Sequence, residues 1–144
     1  MFNFIDKFII DFLMKIWKPF SRISIFIIFF YFGLFKVLNL SPASPLVEAL
    51  LNKTLPFITF NFFLKFFGVF EMIIGILFLI PKVERIAIFL LILHMFIVAL
   101  PLFLLPQITW QKFLVPTLEG QYIIKNLAII SLALVIGAHL KKED

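Results

Sequence analysis

The chain has 144 residues, of which 63% are hydrophobic and 15% charged, with mean hydropathy +1.15 and 22 phenylalanines against 5 glycines. Such a composition lies far above the roughly 45–50% apolar share of a soluble domain, and it excludes a water-soluble fold with a nucleotide site or hydrolase triad. Cysteine is absent and the formal net charge is +5, which removes thiol exchange, Fe–S clusters and thiolate metal sites from consideration. The 13 Lys and Arg sit in scattered pairs at segment ends. Without a basic stripe carrying interleaved aromatics they read as a topology signal, not as a nucleic-acid surface.

Residues 1–18 set Phe4, Ile5, Phe8, Ile9, Phe12 and Leu13 against Asp6, Lys7, Asp11, Lys15 and Lys18. That spacing puts a charged stripe opposite a broad apolar face and predicts an amphipathic helix lying in the membrane interface. It lacks the uninterrupted apolar centre and small-residue cleavage site of a secretory signal, so it is expected to be retained. Pro19 is expected to break this helix before the first span.

Residues 19–144 then read as a transmembrane domain with apolar blocks at about 22–39, 57–80, 86–105 and 121–140, each near the ~20 residues that cross a bilayer core. The expected fold class is therefore all-α, an integral membrane four-helix bundle. In the loop after the first span, Ser44 is expected to cap and Pro45 to start a short helix through Leu51. The joint Pro81-Lys82-Val83-Glu84-Arg85 predicts a tight antiparallel hairpin between the second and third spans. The 101–120 loop holds Trp110, expected to anchor at the interface. Lys7, Lys15, Lys18, Arg22, Lys82, Arg85, Lys141 and Lys142 fall on the terminal side, against Lys53 and Lys112 on the other. The positive-inside rule places both termini in the cytoplasm.

Ionisable residues inside the spans carry the most information, because each costs about 2.5–3.5 kcal/mol at the bilayer centre unless paired or hydrated. They are Lys36, Lys65, Glu71, His94 and Lys125. At ~100° per residue, Asn61, Lys65, Gly68, Glu71 and Gly75 share one arc of the second span, with Phe62, Phe63, Phe66, Phe67 and Phe70 opposite. The first arc is expected to face the bundle and the second to face lipid or neighbouring apolar helices. By the helical rise, Lys65 lies about 12 Å and Glu71 about 20 Å from the outer end. Glu71 alone is deep enough to neutralise a neighbouring lysine, with Lys65 the expected partner. Lys36, Asn61, Lys65, Glu71, His94 and Lys125 thus form a candidate polar site, expected to line a cavity open toward the outer face. Each also has a plainer reading: Lys36 and Lys125 as snorkelling side chains, Lys65 with Glu71 as a structural ion pair, and His94 as a packed, hydrogen-bonded core histidine.

A haem held by two histidines is disfavoured, since His94 is central and His139 lies roughly 12 Å away at the cytoplasmic end. One histidine, one glutamate and protonated lysines do not make a transition-metal site. An aromatic-lined bundle with proton donors does suit a quinone, although the chain has no centre of its own to deliver electrons.

Several segments together resemble the DoxX-like family of small four-helix bacterial membrane proteins. They are Gly33-Leu34-Phe35-Lys36, Ser44-Pro45-Leu46, Gly68-Val69-Phe70-Glu71-Met72-Ile73-Ile74-Gly75 and Lys125-Asn126. The segment from Pro116 to Asn126 resembles a subgroup hallmark. The resemblance covers most of residues 22–140 and implies a four-helix fold in the bacterial inner membrane, with Lys36, Glu71 and Lys125 at polar-site positions. It transfers no catalytic set. Two main functions stay open on these grounds: a quinone-binding or redox-accessory subunit, and a non-enzymatic partner or assembly factor acting through a membrane protein or a second copy of itself. A small-solute carrier is a third.

Overall fold

The computed structural model describes residues 2–140, with side chains from residue 5 onward. Lys141 and Lys142, counted above in the charge asymmetry, lie outside the described residues. Long helices α1 (Phe2–Val37), α3 (Phe60–Leu79), α4 (Glu84–Ala99) and α7 (Leu118–Ala138) form the bundle. The short α2 (Ser44–Thr54), α5 (Pro101–Leu104) and α6 (Pro106–Thr109) and the strands β1 (Trp110–Lys112) and β2 (Val115–Pro116) cap the end away from the termini. With α5 continuing α4, four helices are long and apolar enough to cross a membrane. Their outward faces carry Phe62, Phe66, Phe89 and Phe96, all exposed, the arrangement of a multi-pass membrane protein whose solvent is lipid.

α1 packs along α3, α4 packs on both α3 and α7, and a light contact between α1 and α7 closes the ring. Ile25, Phe29, Ile74, Phe78, Leu91 and Ile136 are core residues of that ring. Glycines set the closest approach: a Cβ on Gly33 would stand 2.5 Å from the Gly68 carbonyl oxygen, and one on Gly68 would stand 2.5 Å from that of Gly33. The α1 and α3 backbones therefore touch, as small residues allow in membranes.

Three expectations about the elements change. Pro19 does not break the first helix: α1 runs through it for 36 residues. A proline inside a helix removes one hydrogen bond and weakens one turn without forcing an end, and Trp17, packed against the core and the His139 ring at 4.7 Å, holds the chain on course. The stretch expected to be a separate interfacial helix is thus the N-terminal part of α1. Its residues 5–15 are all exposed, extending past the bundle.

Ser44 is not the cap of α2. Ala43 holds that position without a side-chain bond, its N–H donating to Ser41 Oγ at 3.3 Å, and the helix runs on to Thr54. The 101–117 loop is built rather than loose. Thr109 is buried and its hydroxyl reaches the Leu105 carbonyl at 3.1 Å, while Trp110 Nε1 donates to Leu102 O at 2.9 Å. Trp110 is thereby tied into the outer cap as well as half-exposed.

Helix ends follow local chemistry. α1 closes in a Schellman arrangement: Asn39 is left-handed at φ 58°, Leu40 N–H donates to Phe35 O and Asn39 N–H to Lys36 O. α3 stops at Ile80, which is extended because Pro81 follows. The turn to α4 places Lys82 at φ 73°, giving the short antiparallel connection that the joint predicts. Thr117 caps α7 by accepting the Gly120 N–H at 3.2 Å.

Candidate functional site

Lys36 lies in the last turn of α1, Glu71 in the middle of α3 and His94 past the middle of α4. Their side chains meet inside the bundle. Lys36 Nζ donates to Glu71 Oε2 at 2.5 Å, and His94 Nε2 stands 3.1 Å from Glu71 Oε1. All three are buried, with residue exposures of 7%, 5% and 2% in that order. Gly68 makes the approach possible, since a Cβ there would meet Lys36 Cβ at 2.8 Å.

Aromatic rings wall this triad. Phe67 stacks on His94 with centroids 4.7 Å apart and offers its ring to Lys36 Nζ at 5.8 Å. Phe29 meets the imidazole edge-on at 5.4 Å. Lys36 and Glu71 bring opposite formal charges together, with the imidazole on the second carboxylate oxygen. Assigned from its contact with the carboxylate, Nε2 is the donor. Nδ1 is buried and has no hydrogen-bond partner.

Three of the six candidates therefore converge, and three do not. Asn61 and Lys65 are exposed on α3, and Lys125 is exposed on α7, its Nζ 5.4 Å from the Tyr122 ring. The expected Lys65–Glu71 pair is replaced by Lys36–Glu71. The inward face of α3 carries Leu64, Phe67, Gly68, Glu71, Ile74 and Gly75, a stripe centred on Glu71, and Asn61 and Lys65 lie beyond its edge. Phe67, expected to meet lipid or a neighbouring helix, belongs to this stripe and meets the helices. Polarity misled because it was taken to define the face, whereas burial of apolar area does.

Phe29 and Phe67 pack directly against the triad. An apolar cleft of about 130 Å³ lies between α4 and α7, lined by residues including Met95, Ala99, Ile123 and Asn126. An open groove of about 440 Å³ on the terminal side is lined by Arg85, Ile88, Gly137, Ala138 and Leu140. No triad residue lines either one. Among the described residues, no group of three or more His, Cys, Asp or Glu stands close enough to hold a metal ion.

A second clasp escaped the sequence reading. Arg22 Nη1 pairs with Glu84 Oε1 at 2.9 Å, and Arg22 Nε donates to the Phe78 carbonyl at 2.6 Å. Both residues had been read only as topology or joint charges. The available signal was that each borders a span, where a charge can be half-buried and still pair.

Comparisons with protein-family models, with curated proteins and with solved structures give no match.

Proposed function

We propose that this chain is a non-enzymatic accessory protein of the DoxX-like kind in the bacterial inner membrane, with both termini in the cytoplasm. In this reading its buried charges lock the bundle and its surfaces serve a membrane-protein partner or a second copy. One observation carries it: Lys36, Glu71 and His94 are buried together, paired through the Glu71 carboxylate and walled by Phe29 and Phe67. The Arg22–Glu84 pair supports the same role. In both clasps α1 supplies the cation, while α3 and α4 supply the carboxylates. Such pairs fix register even where they add little net stability. The terminal-side excess of Lys and Arg supports the orientation, and the quoted segment likenesses support the family.

A second reading, a quinone-linked redox accessory, is favoured by His94 Nδ1, which is buried and has no hydrogen-bond partner. It sits at one end of a Lys–Glu–His chain, where a quinone oxygen or hydroxyl could bond to it. The α4–α7 cleft, at about 130 Å³, falls below the ~300 Å³ where ligand pockets begin, so a quinone would need the helices to part.

The test is purification in mild detergent, with mass spectrometry of co-purified small molecules and a visible spectrum. It compares the native chain with a charge-free variant carrying Lys36→Met, Glu71→Leu and His94→Phe. The accessory reading expects no stoichiometric quinone or chromophore in either protein, and the same membrane-protein adduct from a photo-crosslinker at Trp110 in both. A stoichiometric quinone, lost in the variant, would replace it with the redox reading.

A further inference from the structure

α1 spans 36 residues, about 54 Å at the helical rise, whereas a bilayer core is about 30 Å thick. Trp17 is packed against the core, whereas residues 5–15, further out along the helix, are all exposed. Large apolar side chains are laid bare there, including Phe8 at 68% exposure and Phe12 at 53%. Water is a costly neighbour for them.

The direction of this bare face identifies what covers it. At ~100° per residue, Ile5, Ile9, Phe12 and Leu13 fall within about 60° of the line through Phe20, Ile23 and Ile27. Those last three are exposed on the lipid side of the span itself. Lys7, Asp11, Lys15 and Lys18 fall within about 60° of the opposite line, that of Ile25, Phe29 and Lys36, which face the core. One apolar side thus runs the whole length of α1. The other side is packed inside the bundle and charged above it, as it would be if water replaced the neighbouring helices.

The hinge needed to use this face is also present. Pro19 has no N–H, so the Lys15 carbonyl lacks its helical donor and the Lys15–Pro19 turn is the weakest in α1. If the arm tips outward there, the side that faced lipid becomes its underside and the charged stripe turns up to water. A second copy is a poorer fit, because the apolar face from Phe8 to Leu13 spans about 140°, wider than a two-helix seam.

We infer that residues 5–18 form a membrane-surface arm that tips outward at the Lys15–Pro19 turn and beds its apolar face in the lipid around the same bundle. This goes beyond the accessory reading and does not depend on it. The test uses single cysteines, placed at Ile5, Lys7, Ile9, Asp11, Phe12 and Lys15 of the full chain, which has no cysteine of its own. Each is spin-labelled and reconstituted in phosphatidylcholine–phosphatidylglycerol vesicles, and its accessibility to oxygen and to a water-soluble nickel complex is measured. The inference expects several-fold greater oxygen-to-nickel ratios at Ile5, Ile9 and Phe12 than at Lys7, Asp11 and Lys15, with equal depth for Ile5 and Phe12. Uniform nickel access would overturn it in favour of a rod standing in water. Protection that disappears on dilution with empty lipid would overturn it in favour of pairing between copies.

Discussion

Glu71 shows how a single carboxylate organises a membrane interior. Each of its oxygens has its own cation or donor, Lys36 on one side and His94 on the other. Removing one member strands the other charge in a site without water, at a cost of about 3–5 kcal/mol. Lys36→Met is therefore expected to lower thermal stability in detergent sharply. Lys65→Gln and Lys125→Gln, which touch neither Glu71 nor each other, are expected to leave the melting curve unchanged. The measurement is a parallel melt of the three variants, and equal losses would place Lys65 or Lys125 in the lock after all. Sequence alone located Lys36, Glu71 and His94 as costly charges. It could not choose between Lys36 and Lys65 as the partner, because that choice depends on where Gly33 and Gly68 bring the helices together.

At the scale of elements, the α1–α3 contact is the closest in the bundle, and it rests on two residues without side chains. Gly33→Leu or Gly68→Val pushes a side chain into the facing backbone carbonyl, and is expected to cost about 1–3 kcal/mol or more and to part Lys36 from Glu71. Gly137→Ala is the control. Its new Cβ meets only Ile88 Cδ1 at 3.2 Å, a methyl that can move, so melting is expected to stay near that of the native chain. The four spans were legible from block length and hydropathy, and the end of α3 from Pro81. The unbroken course of α1 through Pro19 was not, because the contact of Trp17 with His139 joins residues far apart in the chain. Nor was the 110–116 hairpin, whose strands are too short to show a period.

The whole molecule is a ring of four spans, latched through Arg22 in the middle of α1 and Lys36 at its end, and capped on one side by α2, α5, α6 and the hairpin. An even number of crossings puts both termini on the face that carries Lys7, Lys15, Lys18 and Lys82. A membrane-impermeant maleimide on intact cells is expected to modify Ala43→Cys and to leave Lys7→Cys untouched until the membrane is opened. The reverse pattern would invert the orientation. The exposed apolar surface of the spans supplies the area for lipid and for any partner. The charged groups that sequence analysis singles out for chemistry are divided between the buried interior, with Lys36, Glu71 and His94, and the exposed surface, with Lys65 and Lys125.

The measurement that bears most directly on the triad as a structural lock compares the unfolding free energies of Glu71→Leu alone and of the combined Lys36→Met, Glu71→Leu and His94→Phe variant. A lock predicts a loss of about 3–5 kcal/mol for the single change, because Lys36 is left buried and unpaired, and recovery of most of that loss when all three are apolar. A single variant that unfolds like the native chain, or a triple variant no more stable than the single, would contradict it.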